Sequence, residues 1–135
     1  MTISEGDFLE FTQDLMNCDA FDTEIGYRNV ISRSYYATFS IGVKLRDLLG
    51  LPSYANMGAH EALRAAFKCH QSRQVKLLAT RLSVSHTDRI VADYYLNETI
   101  TKEFSTQRLT YNKQLFSDIE KIILSEIEEE KTVGV

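Results

Sequence analysis

Proline and glycine, the residues that most often punctuate helices and strands, are scarce in this chain. Its 135 residues include one proline, Pro52, and six glycines, which leaves few positions for tight turns. The apolar residues show no regular turn spacing and little alternation with a period of two, so the pattern favours long helices over a sheet. The length suits one domain, residues 1–135, whose core is large enough to fold without covalent cross-links. We therefore predict an all-α protein, an antiparallel bundle of four to five helices.

Capping residues and apolar stripes place the predicted helices. Three helices are expected to start at residues that favour the N-cap position, in chain order Ser4, Asp22 or Thr23, and Thr101; a further helical pattern runs from Ser72. The second should end at Gly50, and the segment HEALRAAF should form a short third helix. The fourth helix continues through SHTD, residues 85–88, or breaks there. The core is expected to span about residues 4–127, followed by an acidic tail that frays.

Charge is unevenly distributed along the chain. The formal net charge of −4 argues against a wholly basic surface that coats nucleic acid. Residues 1–27 carry seven acids and no Lys or Arg, whereas residues 64–87 carry five Lys or Arg and no acid. The basic stretch could form a local cationic surface. Alternatively, its charges solvate helix faces and pair with the acidic first helix.

Cysteine usage and hydropathy bear on the compartment. Cys18 and Cys69 are too few and too isolated for a disulfide framework, and nothing near the start resembles a signal peptide. No apolar run approaches the roughly 18 residues of a membrane span. We therefore expect a cytoplasmic protein with no membrane attachment.

The histidines do not show metal-ligand spacing. Cys69 and His70 are adjacent and point to different faces, and His60 stands alone in the sequence. No His-Glu-x-x-His motif and no glycine-rich phosphate loop is present. We therefore expect neither a metal nor a cofactor.

Polar residues continue the inward stripe of the fourth helix. At about 100° per residue, His86, Arg89 and Asp93 fall within a sector of about 80° that also holds Leu78 and Leu82. An unpaired buried guanidinium or carboxylate costs several kcal/mol. Because they lie four residues apart on one helix face, Arg89 and Asp93 are expected to pair with each other.

Two interpretations of this polar cluster are open. In the first, Arg28 and Arg33 on the second helix are further partners, and a buried ion network fixes the register of the bundle. In the second, the cluster is a cationic pocket for a phosphate or nucleotide. Aromatic stacking faces for that ligand would come from four tyrosines, Tyr35, Tyr36, Tyr94 and Tyr95.

Arg81 and His86 form a second candidate pair. They are the residue types that metal-free RNA cleavage needs, since an imidazole moves the proton of the 2′-hydroxyl and a guanidinium stabilises charge on the phosphate. On a continuous helix the two residues lie about 140° apart. One site can therefore use both only if the helix breaks or a second protomer contributes. Otherwise His86 is an ordinary core or surface histidine.

Three segments together resemble the HEPN superfamily, a group of small all-helical prokaryotic proteins. They are RNVISRSYYATF, GAHEALRAAF and RIVADYYL. The branch that this chain is most similar to carries RSYYA, here residues 33–37, on its second helix. It carries RIVADY, here residues 89–94, on a later helix. The resemblance extends over about residues 22–125.

The resemblance implies a homodimer that acts as a metal-independent endoribonuclease in a toxin-antitoxin or antiviral system. It also implies a nucleotidyltransferase-type or other antitoxin partner. The family's catalytic pattern is an arginine followed by a histidine four to six residues later. By position Arg89 matches that arginine, but no histidine stands near Asp93 or Tyr94. Arg81 and His86 have the family spacing one to two turns earlier.

The leading hypothesis is an HEPN-like homodimer that binds RNA or a nucleotide through the surface of residues 64–95. The candidate catalytic residues are Arg81, His86, Arg89, Asp93 and Tyr94. The candidate RNA or nucleotide contacts are Arg28, Arg33, Tyr36, Arg64, Lys68, Arg73 and Lys76. The alternative is a non-catalytic dimeric interaction module that serves as a scaffold for a partner protein.

Overall fold

Five α-helices form a bundle in the computed structural model, which describes residues 2–133. The helices are α1 (Glu5–Asn17), α2 (Glu24–Leu48), α3 (Ala59–Lys68), α4 (Arg73–Tyr94) and α5 (Lys102–Val133). A short 3-10 turn, Asp19–Phe21, joins α1 to α2, and residues 2–133 contain no strand. The prediction of an all-α helical bundle is confirmed.

Capping side chains start the helices. The Thr23 hydroxyl accepts from the Gly26 N–H at 3.3 Å at the start of α2. Ser72 and Thr101 cap α4 and α5 in the same way, at 3.4 and 3.1 Å. These side chains satisfy N–H groups that have no partner within the helix. Beyond the end of α2, Gly50 takes a φ of 65°, a backbone conformation that other residues rarely adopt.

Two points about helix continuity are decided by the structure. Of the two alternatives for SHTD, the segment does not interrupt α4, which is helical from Arg73 to Tyr94. The acidic end is helical as far as Val133, in α5, and the last two residues of the predicted tail, 134 and 135, lie outside the described residues. Ile123 is buried and Ile127 packs against the core, so apolar contacts extend well into the end of this helix.

Two helix directions alternate in the bundle. Ser105 on α5 donates to the Tyr27 carbonyl on α2. Further towards the C-terminus of both helices, Asn112 on α5 donates to Ser34 on α2. The two helices therefore run parallel. By contrast, α1 and α4 run in the opposite direction. After α2 ends, residues 49–58 run back alongside that helix to the start of α3. The start of α3 therefore lies beside the middle of α2 and against α4.

The core combines apolar packing with one buried polar network. Large apolar side chains from four of the helices are fully buried, and each contributes about 1.5–3 kcal/mol by leaving water; examples are Ile31, Leu45, Phe67, Leu82 and Ile119. Ser85 on α4 donates to Asn112 on α5, which in turn donates to Ser34 on α2 at 2.8 Å. Because the hydrogen-bond partners lie on three helices, the network helps to fix their register.

No helix within residues 2–133 combines the length and the hydropathy that a bilayer crossing requires.

Candidate functional site

A polar cleft of about 300 Å³ opens where α2, α3 and α4 meet. Helix α2 forms one wall, and one residue of α3 and two residues of α4 complete the cleft. The residues around the cleft include Ser32, Arg33, Tyr35 and Tyr36 from α2, His60 from α3, and Arg89 and Asp93 from α4. The inward polar stripe predicted on the fourth helix therefore faces a cleft. We call this feature the three-helix cleft.

Two histidines from different helices stack beside the three-helix cleft. The rings of His60 on α3 and His86 on α4 have centroids 4.6 Å apart and planes inclined by 19°. The ring of Tyr35 lies next to both, with centroid distances of 5.5 and 5.3 Å. His60 stands alone in the sequence, but the packing of α3 on α4 brings it against a histidine that is distant in the sequence.

Hydrogen bonds orient both imidazoles. The Tyr35 hydroxyl and Nδ1 of His60 share a hydrogen bond of 2.6 Å. Arg64 Nη1 lies 3.3 Å from Nδ1 of His86. A guanidinium only donates, so Nδ1 of His86 accepts, and the proton of the neutral ring is on Nε2. Each histidine thus has its Nδ1 hydrogen-bonded within the protein, and the ring proton of His86 is carried by Nε2.

The surroundings keep both imidazoles neutral at neutral pH. Burial lowers the pKa of His86 to about 4, and the nearby His60, Arg64 and Arg89 add to the effect. Burial also lowers the pKa of His60, again with help from Arg89 and Arg64. The pKa of the Tyr35 hydroxyl is raised by burial, so the phenol stays protonated. Two neutral imidazoles therefore face each other in a cationic setting.

The predicted Arg89–Asp93 pair is confirmed. Nε of Arg89 lies 2.8 Å from Oδ2 of Asp93, and the side chains are 27% and 26% exposed. Ser32 on α2 donates to the same carboxylate at 3.0 Å. The guanidinium also lies 5.7 Å from the ring centroid of the exposed Tyr94. Because Nε is the atom that meets Asp93, the terminal nitrogens of Arg89 can bind a further anion.

Arg28 was a predicted ligand residue, and the structure corrects this assignment. Its side chain is buried, and it donates to the main-chain carbonyls that end α4, including that of Ala92 at 2.9 Å and that of Tyr95 at 3.3 Å. It also pairs with Glu24 at 3.0 Å. Since these carbonyls lack partners within the helix, Arg28 caps the C-terminus of α4. It is not free to hold RNA or a nucleotide.

Arg81 and His86 do not form a site within one chain. Arg81 faces α5, where Nη2 lies 2.8 Å from Oδ2 of Asp118, while His86 faces α2 and α3. The unbroken helix between them keeps these directions apart. The pairing of Arg81 with His86 within one chain is thus wrong, and the histidine that accompanies His86 is His60.

The remaining predicted contacts divide into two groups. Arg33 and Tyr36 line the three-helix cleft, and Arg64 reaches it through His86. The other three, Lys68, Arg73 and Lys76, are exposed where α3 turns into α4. At 1.5 Å per residue, Lys76 lies about 15 Å along the axis from His86. A ligand would have to extend well beyond the cleft to touch this group.

In the part of the chain that the structure describes, no group of three or more His, Cys, Asp and Glu side chains could hold a metal ion.

Comparison of the chain with protein-family models, with curated proteins and with solved structures found no match. The chemistry of the site is therefore inferred from the cleft itself. Two neutral imidazoles beside two guanidinium groups can bind a phosphate and can accept and return a proton.

Proposed function

We propose that this chain is an HEPN-like protein that binds RNA or a nucleotide in the three-helix cleft and cleaves RNA through His60 and His86. The observation that carries the proposal is the stacking of these two imidazoles, 4.6 Å apart, next to Arg64 and Arg89. Acid, base and anion-stabilising groups are the parts that RNA cleavage by the 2′-hydroxyl requires.

The first step is the binding of a phosphate by the guanidinium groups. Arg89 is held in place by Asp93, and Arg64 by His86, so both are pre-positioned at the histidine pair. A guanidinium matches two phosphate oxygens at once, which gives orientation as well as attraction. Tyr36, partly exposed at the edge of the cleft, supplies a face on which a base can stack.

The chemical step needs one imidazole as base and one imidazolium as acid. One histidine takes the proton of the 2′-hydroxyl as that oxygen attacks phosphorus. The P–O5′ bond breaks, and the other histidine gives its proton to the departing oxygen. The products are a 2′,3′-cyclic phosphate and a 5′-hydroxyl. The guanidinium groups stabilise the additional negative charge on the phosphate oxygens in the transition state.

Phosphate binding would create the protonation state that this step needs. In the free protein, burial and two arginines disfavour a proton on either histidine. A bound phosphate offsets the arginine charges and raises both pKa values. The pair then holds one proton between two imidazoles, one acid and one base. Substrate binding and proton uptake are coupled in this account.

The biological setting belongs to the same proposal and is supported by the resemblance to HEPN proteins. In that setting the chain is a cytoplasmic homodimer of a toxin-antitoxin or antiviral system, controlled by a nucleotidyltransferase-type or other antitoxin partner. A second protomer could also add contacts from the basic turn between α3 and α4.

A cleavage assay with single-residue variants tests the proposal. The purified protein should cleave single-stranded RNA in the presence of EDTA and leave cyclic phosphate ends. His60→Ala and His86→Ala should each slow cleavage by about 10²–10⁴-fold. His70→Gln is the matched control, because His70 lies at the turn before α4 and is bonded to the Ser72 N–H. Undiminished cleavage by both alanine variants would contradict the proposal.

A non-catalytic interaction module is the second candidate. It is favoured by the partners of Asp93, whose carboxylate accepts from Ser32 and pairs with Arg89. These contacts lie within the protein and need no ligand. If the cluster only joins α2 to α4, Arg89→Ala should lower Tm or dissociate a dimer, and the wild type should cleave no RNA. A stable Arg89→Ala variant that has lost a wild-type cleavage activity would exclude this candidate.

A further inference from the structure

A second and larger concavity, of about 590 Å³, lies between α1 and the first turns of α2. Its walls are mainly apolar and consist of Phe11 and Leu15 from α1, Phe21 from the 3-10 turn and Ile25 from α2. We call it the α1–α2 groove. It is distinct from the three-helix cleft, but the two meet at Asn29 and Arg33, which line both.

The apolar side chains of the α1–α2 groove are unusually exposed. Phe11, Phe21 and Ile25 retain 56%, 49% and 65% of their accessible surface. Single exposed apolar residues are normal on a protein surface, whereas three around one concavity indicate an interaction site. The groove therefore requires an apolar occupant.

The groove is built by the fold and is not a loose surface feature. The Phe21 N–H donates to the Cys18 carbonyl at 3.0 Å, which closes the turn. The Phe21 carbonyl lies so close to α2 that a Cβ at Gly26 would stand 2.0 Å from it. Only glycine fits this contact. The turn is thus fixed against α2, and the wall is formed before anything binds, which lowers the entropy cost of binding.

Charge identifies the kind of occupant. Asp14 lines the groove, and the exposed carboxylates of Glu10 and Asp19 lie on the same helix and on the turn that follows it; none of the three is ion-paired within residues 2–133. The segment of residues 1–27 contains no Lys or Arg. An acidic border repels a nucleic acid or another polyanion and attracts cations. The occupant that fits is apolar on one face and basic at its flanks.

We infer that the α1–α2 groove is the docking site for a basic amphipathic helix of a partner protein. A groove between two helices accepts such a helix through apolar side chains spaced at i, i+3 or i+4, and i+7. Its Lys or Arg side chains would meet Glu10, Asp14 and Asp19. One end of the helix would reach Asn29 and Arg33, at the edge of the three-helix cleft. The inference does not depend on RNA cleavage, because it uses only the groove and its border.

A pair of synthetic peptides tests the inference on the full-length protein. Both are helical and share one Leu and Phe stripe, but one has Lys and the other Glu at every flanking position. Fluorescence anisotropy should show that the Lys peptide binds at least tenfold more tightly at low salt. Ile25→Asp should abolish its binding. Leu77→Asp, at an exposed apolar position on α4 (48% exposed), should leave the affinity unchanged.

A charge reversal separates the role of the border from that of the apolar wall. Asp14→Lys should weaken the Lys peptide and strengthen the Glu peptide. Equal affinity for the two peptides, no binding by either, or binding that survives Ile25→Asp would overturn the inference. Sedimentation that shows a wild-type dimer dissolved by Ile25→Asp would also overturn it, since the occupant would then be a second copy of this chain.

Discussion

His60 and His86 stack with their ring centroids 4.6 Å apart, although they come from different helices. The contact places two neutral imidazoles in a partly buried space that Arg64 and Arg89 make cationic. A proton on either ring is opposed by burial and by both guanidinium groups, and on His86 also by His60. The pair is therefore set to respond to an anion, and its protonation state reports directly on what the three-helix cleft binds.

Acid should destabilise the fold through these histidines. The pKa of His86 is about 4 in the folded protein, and its ordinary value is 6.5. Between these two pH values, the unfolded chain binds a proton at His86 and the folded chain does not. The contribution of His86 is fully present above pH 6.5 and is lost as the pH falls towards 4. The depressed pKa of His60 acts in the same direction. Urea unfolding between pH 7 and pH 4 measures the effect.

His86→Gln should flatten this dependence, since glutamine does not titrate. His70→Gln should retain the wild-type slope. An identical pH dependence in wild type and His86→Gln would show that His86 does not titrate abnormally in the folded protein.

Replacement of Arg28 should affect stability and not ligand binding. Arg28→Met keeps much of the apolar stem but leaves the carbonyls at the end of α4 and Glu24 without their donor. We expect a loss of about 2–4 kcal/mol in the free energy of unfolding, measured by urea denaturation. Arg33→Met, at an exposed position on the same helix, should change it by less than about 0.5 kcal/mol. Equal effects of the two substitutions would contradict the capping role.

Two glycine substitutions should have opposite effects. Gly26→Ala places a Cβ 2.0 Å from the Phe21 carbonyl, so the turn must move, and we expect a loss of about 1–3 kcal/mol. Gly6→Ala, in α1, meets nothing closer than 3.8 Å. It should stabilise the protein by up to about 1 kcal/mol, because alanine favours the helix. Thermal unfolding of both variants measures the contrast, and a neutral Gly26→Ala would refute the close approach of the turn.

The affinity for RNA should decrease only moderately as the salt concentration rises, because few cationic side chains contact phosphate. Two to three phosphate contacts, from Arg64, Arg89 and Arg33, correspond to a slope of about −1.4 to −2.1 in a plot of log affinity against log salt for a single strand. Arg33→Ala should reduce the magnitude of the slope by about 0.7. Arg73→Ala, which lies outside the three-helix cleft, should leave the slope unchanged. A slope near zero would show that these arginine residues do not bind phosphate.

Local signals made most of the fold predictable. Thr23 and Thr101 cap the helices that they were predicted to cap, because capping depends on neighbouring residues alone. The pairing of Arg89 with Asp93 was predictable for the same reason, since the two lie one helical turn apart. The helical continuation of α5 to Val133 had no local signal, because it follows contacts with other helices such as that of Ile127 with the core.

Tertiary packing decided the parts of the site that the sequence did not reveal. The partnership of His60 with His86 depends on the register of α3 against α4, which no local pattern encodes. A signal did exist, because His60 lies on the same helix face as Leu63 and Phe67, which are buried. Arg28 similarly shares a face with Ile31 and Tyr35. Its place on a buried stripe was the sign that it is structural.

The most direct test of the site is an NMR titration of the histidine ring protons with and without a ligand. The free protein should show depressed pKa values for His60 and His86, and inorganic phosphate or a 3′-nucleoside monophosphate should raise both. His70, outside the three-helix cleft, serves as the internal reference. If the pKa values of His60 and His86 stay unchanged while RNA or nucleotide binds elsewhere, the account of the cleft is wrong.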